Sequence, residues 1–320
     1  MPPIADRGPV VVTGGAGAIG APLVRSLLED GHEVRVLDNL SSGRRESLGR
    51  MLDNSGVRLE IVDIRSLDSI RKSFSGAKAV WHLAANPDIR LGTADPRVDL
   101  EHGTLGTFNV LEAARTNDVP RVLFSSSSVV YGLPEVFPTP ESYGPLLPQS
   151  LYGASKLASE AMISAYAHSY GLEGHIFRFA NIIGPGMTHG VIYDFFEKLR
   201  KEPKRLEVLG DGRQSKSYLR VDDCVSAMRL AEAKSRERVN VFNLGTTDRV
   251  SVREIAELIV AAHGGHARIE YMGGERGWPG DIPQQLLDVA RIQALGFRPA
   301  LSSLAAVELT IRELASARHR

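Results

Sequence analysis

The sequence holds one cysteine, Cys224, in 320 residues. A single thiol excludes an intrachain disulfide and a cysteine-cluster metal site. There is no surplus of charge: Lys+Arg and Asp+Glu are both 38, so no bulk attraction to nucleic acid is expected. No apolar run approaches the ~18 residues of a membrane span. The opening MPPIADRGPVVVTGG has no basic segment running into an apolar one. No internal repeat and no low-complexity tract is visible. What remains is the composition of a soluble globular protein, 43% hydrophobic and 24% charged. The expectation is a cytoplasmic protein built as one large α/β unit with a lobe.

What is present centres on residues 121–156, RVLFSSSSVVYG and then SLYGASK. A strand-like run from Arg121 to Phe124 feeds four serines, Ser125 to Ser128. Tyr152 and Lys156 follow at i,i+4, on one face of a helix predicted over about 151–170. A free phenol has a pKa of ~10, too high for a base near neutral pH. A nearby lysine and a cationic cofactor would lower it, and a serine at the strand end would share the proton. The pattern predicts a Ser/Tyr/Lys proton-abstracting group that needs a cofactor.

The N-terminal part supplies one. Pro9 to Thr13 reads as a buried parallel strand. Gly14, Gly17 and Gly20 follow, then a helical pattern to Gly31 and a strand ending in Asp38. A strand, glycine turn, helix and strand make a dinucleotide site, with pyrophosphate on the helix N-terminus. Asp38 would take both ribose hydroxyls and repel a 2′-phosphate, favouring NAD over NADP, although Arg44 and Arg45 lie close. Asp63, after a third strand, suits either the adenine or a helix cap. Ala84, Ala85 and Asn86 end a fourth strand and leave room for a cofactor, while His82 inside it reads as packed. Strands alternating with helices predict a doubly wound parallel sheet. The rhythm changes after Asn181. Residues 1–180, with 239–264 returning to them, read as the nucleotide domain, and 181–320 mainly as a smaller α/β lobe.

TGGAGAIG, Asp38, HLAA, SSSSVVYG and YGASK, in that order, resemble the extended short-chain dehydrogenase/reductase family. Within it the sequence is most similar to NAD-dependent nucleotide-sugar epimerases, above all UDP-glucose/UDP-galactose 4-epimerases. The resemblance covers about residues 9–300. It implies a Rossmann-type fold, bound NAD, a UDP-sugar substrate and a homodimer paired through a four-helix bundle. It also implies roles. Gly14, Gly17 and Gly20, with Ala18 and Ile19, would hold the pyrophosphate. Asp38 and Asn39, with Ser41, Ser42 and Gly43, would hold the adenosine ribose; Asp63 and Ile64, the adenine. Leu83, Ala84, Ala85 and Ser125 would line the cofactor, together with Tyr152 and Lys156. Ser127, Tyr152 and Lys156 would be catalytic. Asn86, Arg90, Ser127, Ser128, Tyr152 and Asn181 would face the sugar. From the lobe, Val191, Leu206, Leu209, Lys216, Tyr218 and Arg276 would hold UDP.

The implied reaction is reversible oxidation at C4 of the hexose through a 4-keto intermediate. UDP-glucuronate and UDP-N-acetylglucosamine stand as alternative substrates. A nucleotide-sugar dehydrogenase/reductase and a non-catalytic NAD-binding sensor are further alternatives. Related dehydratases carry Asp-Glu where this chain has Ser128-Val129, which argues against water elimination. The sequence departs from the family at Gly103, where an asparagine is usual, and at Lys216-Ser217, where Arg-Asp is usual.

Overall fold

The computed structural model describes residues 8–318. Six strands follow in order: β1 (Val10–Thr13), β2 (Val34–Asp38), β3 (Val57–Ile61), β4 (Ala79–His82), β5 (Arg121–Ser127) and β6 (Glu173–Phe179). With Val239–Leu244 they make a seven-stranded sheet in the order Val239–Leu244, β6, β5, β4, β1, β2, β3. All its pairings are parallel. The reason is visible in the strands themselves. β1 reads VVVT with every residue buried, the pattern of a strand covered on both faces. Two apolar clusters cover the two faces, one around Leu23, Leu27 and Trp81, the other around Ile70, Phe74 and Leu111. Trp81 and Phe177 stack at 6.4 Å, and Phe177 and Phe242 at 6.5 Å, tying β4, β6 and Val239–Leu244 together.

This is a Rossmann-type sheet. The strand order reverses between β1 and β4, so their C-terminal ends open a crevice there. The long stretch after β4 is helical, but not uniformly: Arg97–Asp99 is α, Leu100–Leu105 is π, and Gly106–Thr116 is α again. The Tyr/Lys helix runs from Leu151 to Tyr170. Ser150 caps its start by accepting from Gly153 N at 3.1 Å, and Gly171 ends it in the left-handed region.

The lobe has its own core of Phe195, Phe196, Leu206, Ile255, Ile259 and Val307. Its sheets are small. Tyr218–Arg220 pairs with Asn181–Ile183, and Arg205–Val208 with Arg268–Tyr271. Ser251 and Glu254 form a capping box that starts Val252–Ala262. That helix packs in the lobe core, whereas Val239–Leu244 lies in the main sheet. Among the described residues, no helix is long and apolar enough to cross a membrane, and no cluster of His, Cys, Asp and Glu could hold a metal. Cys224 is fully buried in apolar surroundings.

Candidate active site

The glycine turn between β1 and the helix Gly20–Glu29 is built for close approach. Gly14 has φ +68°, and a Cβ there would lie 2.7 Å from Ala84 N. A Cβ at Gly20 would lie 2.2 Å from Gly14 O. No side chain caps this helix; Ala21 N already donates to Gly17 O at 3.0 Å and Pro22 has no N–H, so the N–H groups at Ile19 and Gly20 are the ones left for an anion. Asp38, at the end of β2, is pinned opposite. Its carboxylate accepts from Ala16 N at 3.0 Å and from Leu40 N at 2.9 Å. Gly43 packs so close that a Cβ would stand 2.9 Å from the Asp38 carboxylate.

These groups line a cavity of about 570 Å³. Every residue expected to hold the cofactor lines it except Asp63. Arg65 takes the Asp63 carboxylate at 2.8 Å, with Asn39 at 3.2 Å, and holds its pKa well below the usual range. Val62 lines the wall instead, beside Ile64. A backbone cradle that a Cβ would fill, an open helix N-terminus and a fixed carboxylate together fit a dinucleotide with a free ribose.

The four serines do four different things. Ser125 Oγ donates to His82 O at 3.3 Å, and its carbonyl accepts from Lys156 Nζ at 2.6 Å. Ser126 Oγ donates to Glu160, which forks onto Arg178 at 2.7 Å. Arg178 also donates to Tyr131 OH at 2.9 Å, and that hydroxyl donates to Asn243 at 2.7 Å. Ser127, the last residue of β5, accepts from Val129 N at 3.4 Å and faces the open cavity. Ser128 only begins a 3-10 turn, Ser128–Tyr131, outside the lining of both cavities. The Ser126–Glu160–Arg178 group did not enter the sequence reading. Glu160 stands at i+4 from Lys156, so the helix period alone points to it.

Tyr152 and Lys156 share one side of their helix, with Lys156 Nζ 5.6 Å from the Tyr152 ring centre. The sequence leads one to expect that the lysine lowers the phenol's pKa. In the structure burial pushes the Tyr152 phenol up, with the Asp99 carboxylate acting in the same direction. Tyr152 still shows part of its surface to the cavity, whereas Lys156 is only 3% exposed. Burial brings Lys156 down to about 7, against the pull of Glu160 and Asp99. His82 is packed, as expected: its ring bridges Thr13 at 2.8 Å and Thr107 at 3.0 Å, and burial lowers it to about 3.

A second cavity, also about 570 Å³, opens toward the lobe and shares Ser126, Tyr152, Phe179, Met187 and His189 with the first. Arg90, Ser127, Asn181, Val191, Leu209, Lys216 and Tyr218 line it. Four expected contacts fall elsewhere. Leu206 is fully buried in the lobe core, and Ser128 and Arg276 stay off the wall. Gly277 and Trp278 reach the wall in place of Arg276. Asn86 lines the first cavity and not the second. Lys216 is paired with Asp281 at 2.7 Å, and Arg90 with Asp88 and Asp194, each at 3.1 Å. At Gly103 a Cβ would lie 2.5 Å from Ser155 Oγ, so the helix crossing there leaves no room for the family's asparagine without a shift.

The chain matches the NAD dependent epimerase/dehydratase family over residues 10–245, and it belongs to that family. A UDP-glucose 4-epimerase of Mycolicibacterium smegmatis is 34% identical over 313 residues, covering 94% of this chain and 96% of that one. A crystal structure of a UDP-galactose 4-epimerase superimposes with a TM-score of 0.87 at 40% identity, covering 97% of this chain and 99% of that one. The Thermotoga maritima UDP-glucose 4-epimerase, solved with UDP-glucose, also gives a TM-score of 0.87 at 31% identity. It covers 97% of this chain and 99% of that one.

Proposed function

We propose that this member of the NAD dependent epimerase/dehydratase family inverts C4 of a UDP-hexose, with UDP-glucose and UDP-galactose as the preferred pair. The observation that carries the reading is the placement of Tyr152. It stands on the wall common to the two cavities, one with the features of a dinucleotide site and the other reaching into the lobe. NAD, when bound, supplies the hydride acceptor and donor at C4. Tyr152 takes the proton of the C4 hydroxyl, Ser127 orients that hydroxyl, and Lys156 stays anchored on Ser125 O. Burial, with the Asp99 carboxylate acting in the same direction, favours the phenol form of Tyr152, so its ionisation requires a positive charge brought in beside it. Asn181 and Tyr218 face the sugar nucleotide, and Lys216 meets the diphosphate as a point charge already shared with Asp281.

Two features favour a neutral hexose over UDP-glucuronate and epimerisation over dehydration. Arg90 is neutralised by two carboxylates, Asp88 and Asp194, so it offers little to a uronate. Ser128 and Val129 hold no acid or base for elimination. Gln285 is buried and accepts from Ser217 N at 3.2 Å, off the wall of the second cavity.

The domain division near residue 180, with strand Val239–Leu244 returned to the sheet, is the matching architectural reading. A homodimer through the helices 97–116 and 151–170 is supported by Leu100, Leu105 and Phe108, which stand 60%, 45% and 40% exposed. A cytoplasmic setting accords with one free, buried thiol. Purified protein given UDP-glucose, UDP-glucuronate and UDP-N-acetylglucosamine in turn, with products read by NMR, tests the assignment. Conversion of UDP-glucose to UDP-galactose supports it, and exclusive turnover of another sugar overturns it.

A further inference from the structure

Asp99 is a buried carboxyl beside the site that none of the steps above employs. It closes the short helix Arg97–Asp99 and is 1% exposed. One of its oxygens accepts from the Asn86 amide at 3.0 Å. The other has no hydrogen-bond partner. That second oxygen lies against Gly92, where a Cβ would come within 2.0 Å of it. The same Cβ would be 3.7 Å from Leu151, the residue before Tyr152. Asp99 therefore reaches the start of the Tyr/Lys helix through a gap that only a glycine leaves open. Asn86 also donates to Asp88 O at 2.8 Å, and so ties Asp99 to the segment that carries Arg90. A buried carboxylate with an unpartnered oxygen is costly, and such a group beside a reaction centre calls for a role.

We infer that Asp99 is a positioning residue for Tyr152: it fixes Asn86 in the wall of the first cavity and sets a negative charge against the Tyr152–Lys156 pair. The inference rests on the reading of Tyr152 as the proton-taking group. The charges around the pair are few. Tyr152 is faced by Asp99, by Lys156 on its own helix, and by His189 across the shared wall. Lys156 is faced by Glu160 and Asp99, with His82 beneath it. Asp99 is faced by Asn86, Lys156 and His102. In this setting a charge on Asp99 favours a protonated Lys156 and opposes a phenolate. The tyrosine is thereby held as a phenol until an opposing positive charge is in place.

Asp99→Asn keeps an oxygen for the Asn86 amide and removes the charge. In the NAD-loaded protein, tyrosine labelled with carbon-13 at the ring Cζ reports ionisation directly, and Tyr152→Phe identifies the signal. The Asp99→Asn midpoint should fall below the wild-type midpoint, a rise of about three- to tenfold in the ionisation constant. Coincident midpoints, or a higher one in the variant, overturn the inference. A merely structural role would change KM or the melting temperature and leave the midpoint in place. Asp99→Ser removes the same charge should the asparagine variant not fold. Absence of turnover of every UDP-sugar by the wild type would count against the epimerase reading alone, because the titration needs no substrate.

Discussion

Tyr152 and Lys156 are four residues apart, yet the fold gives them opposite tasks in charge. Lys156 falls from 10.5 to about 7 because it is buried. Between those pH values the unfolded chain holds a proton that the folded chain has released. Stability should therefore rise with pH across that window, by up to about 1.4 kcal/mol per unit from this group. Urea unfolding between pH 7 and 9.5 should show that slope in the wild type and a flatter one in Lys156→Met; equal slopes would contradict it. Tyr152→Phe keeps the ring and loses the acid–base group, so kcat should drop by about 10²-fold or more with little change in fold. Full turnover by that variant would remove Tyr152 from the chemistry. The residues that were legible in advance were those whose reason is local. The glycine turn, Asp38 and the Tyr/Lys pair each follow from spacing within one or two elements. Asp63 was not settled locally, because Arg65 two residues on competes for its carboxylate.

At the scale of elements, two packing devices hold the site. The first is the buried group joining β5, β6 and the Tyr/Lys helix through Ser126, Glu160 and Arg178. The Glu160 and Arg178 side chains are each 6% exposed. Removing one partner leaves the other charged and unpaired, so Glu160→Gln should destabilise the fold by about 3–5 kcal/mol. The double change Glu160→Leu with Arg178→Met should cost less than the single change, and denaturant unfolding decides between them. The second device is the π segment, Leu100–Leu105, whose Gly103 touches Ser155 on the neighbouring helix. Gly103→Ala should cost about 1–3 kcal/mol through overpacking, with partial recovery by Ser155→Gly. Thermal denaturation of the pair and each single variant gives the coupling. The π turn was not readable in advance, and of the first device only Glu160 was, from its place one turn after Lys156. Arg178 and Glu160 are 18 residues apart and meet only once the Tyr/Lys helix packs against β6, and the π turn follows from helix crossing rather than from composition.

At the scale of the whole molecule, the doubly wound parallel sheet was readable because parallel strands announce themselves as apolar runs closed by small residues, whereas the order of its strands came only with the structure. The lobe was harder. Its strands are two to four residues long and pair across large sequence distances, as Ser215–Lys216 does with both Val250–Ser251 and Gln284–Gln285. That is why Leu206 was expected on the ligand wall but lies in the lobe core, and why Gly277 and Trp278 reach the wall in place of Arg276. On the proposed reading, cofactor chemistry belongs to the sheet and substrate identity to the lobe; Tyr152 stands where the two cavities meet. The most direct test is proton NMR of the anomeric signals after NAD-loaded protein is mixed with pure UDP-galactose. With the proposed epimerase activity, UDP-glucose appears until both sugars reach a constant ratio, with no net accumulation of reduced cofactor and no dehydrated sugar. Unchanged UDP-galactose over a folded, NAD-loaded protein, or a dehydrated product, would contradict it.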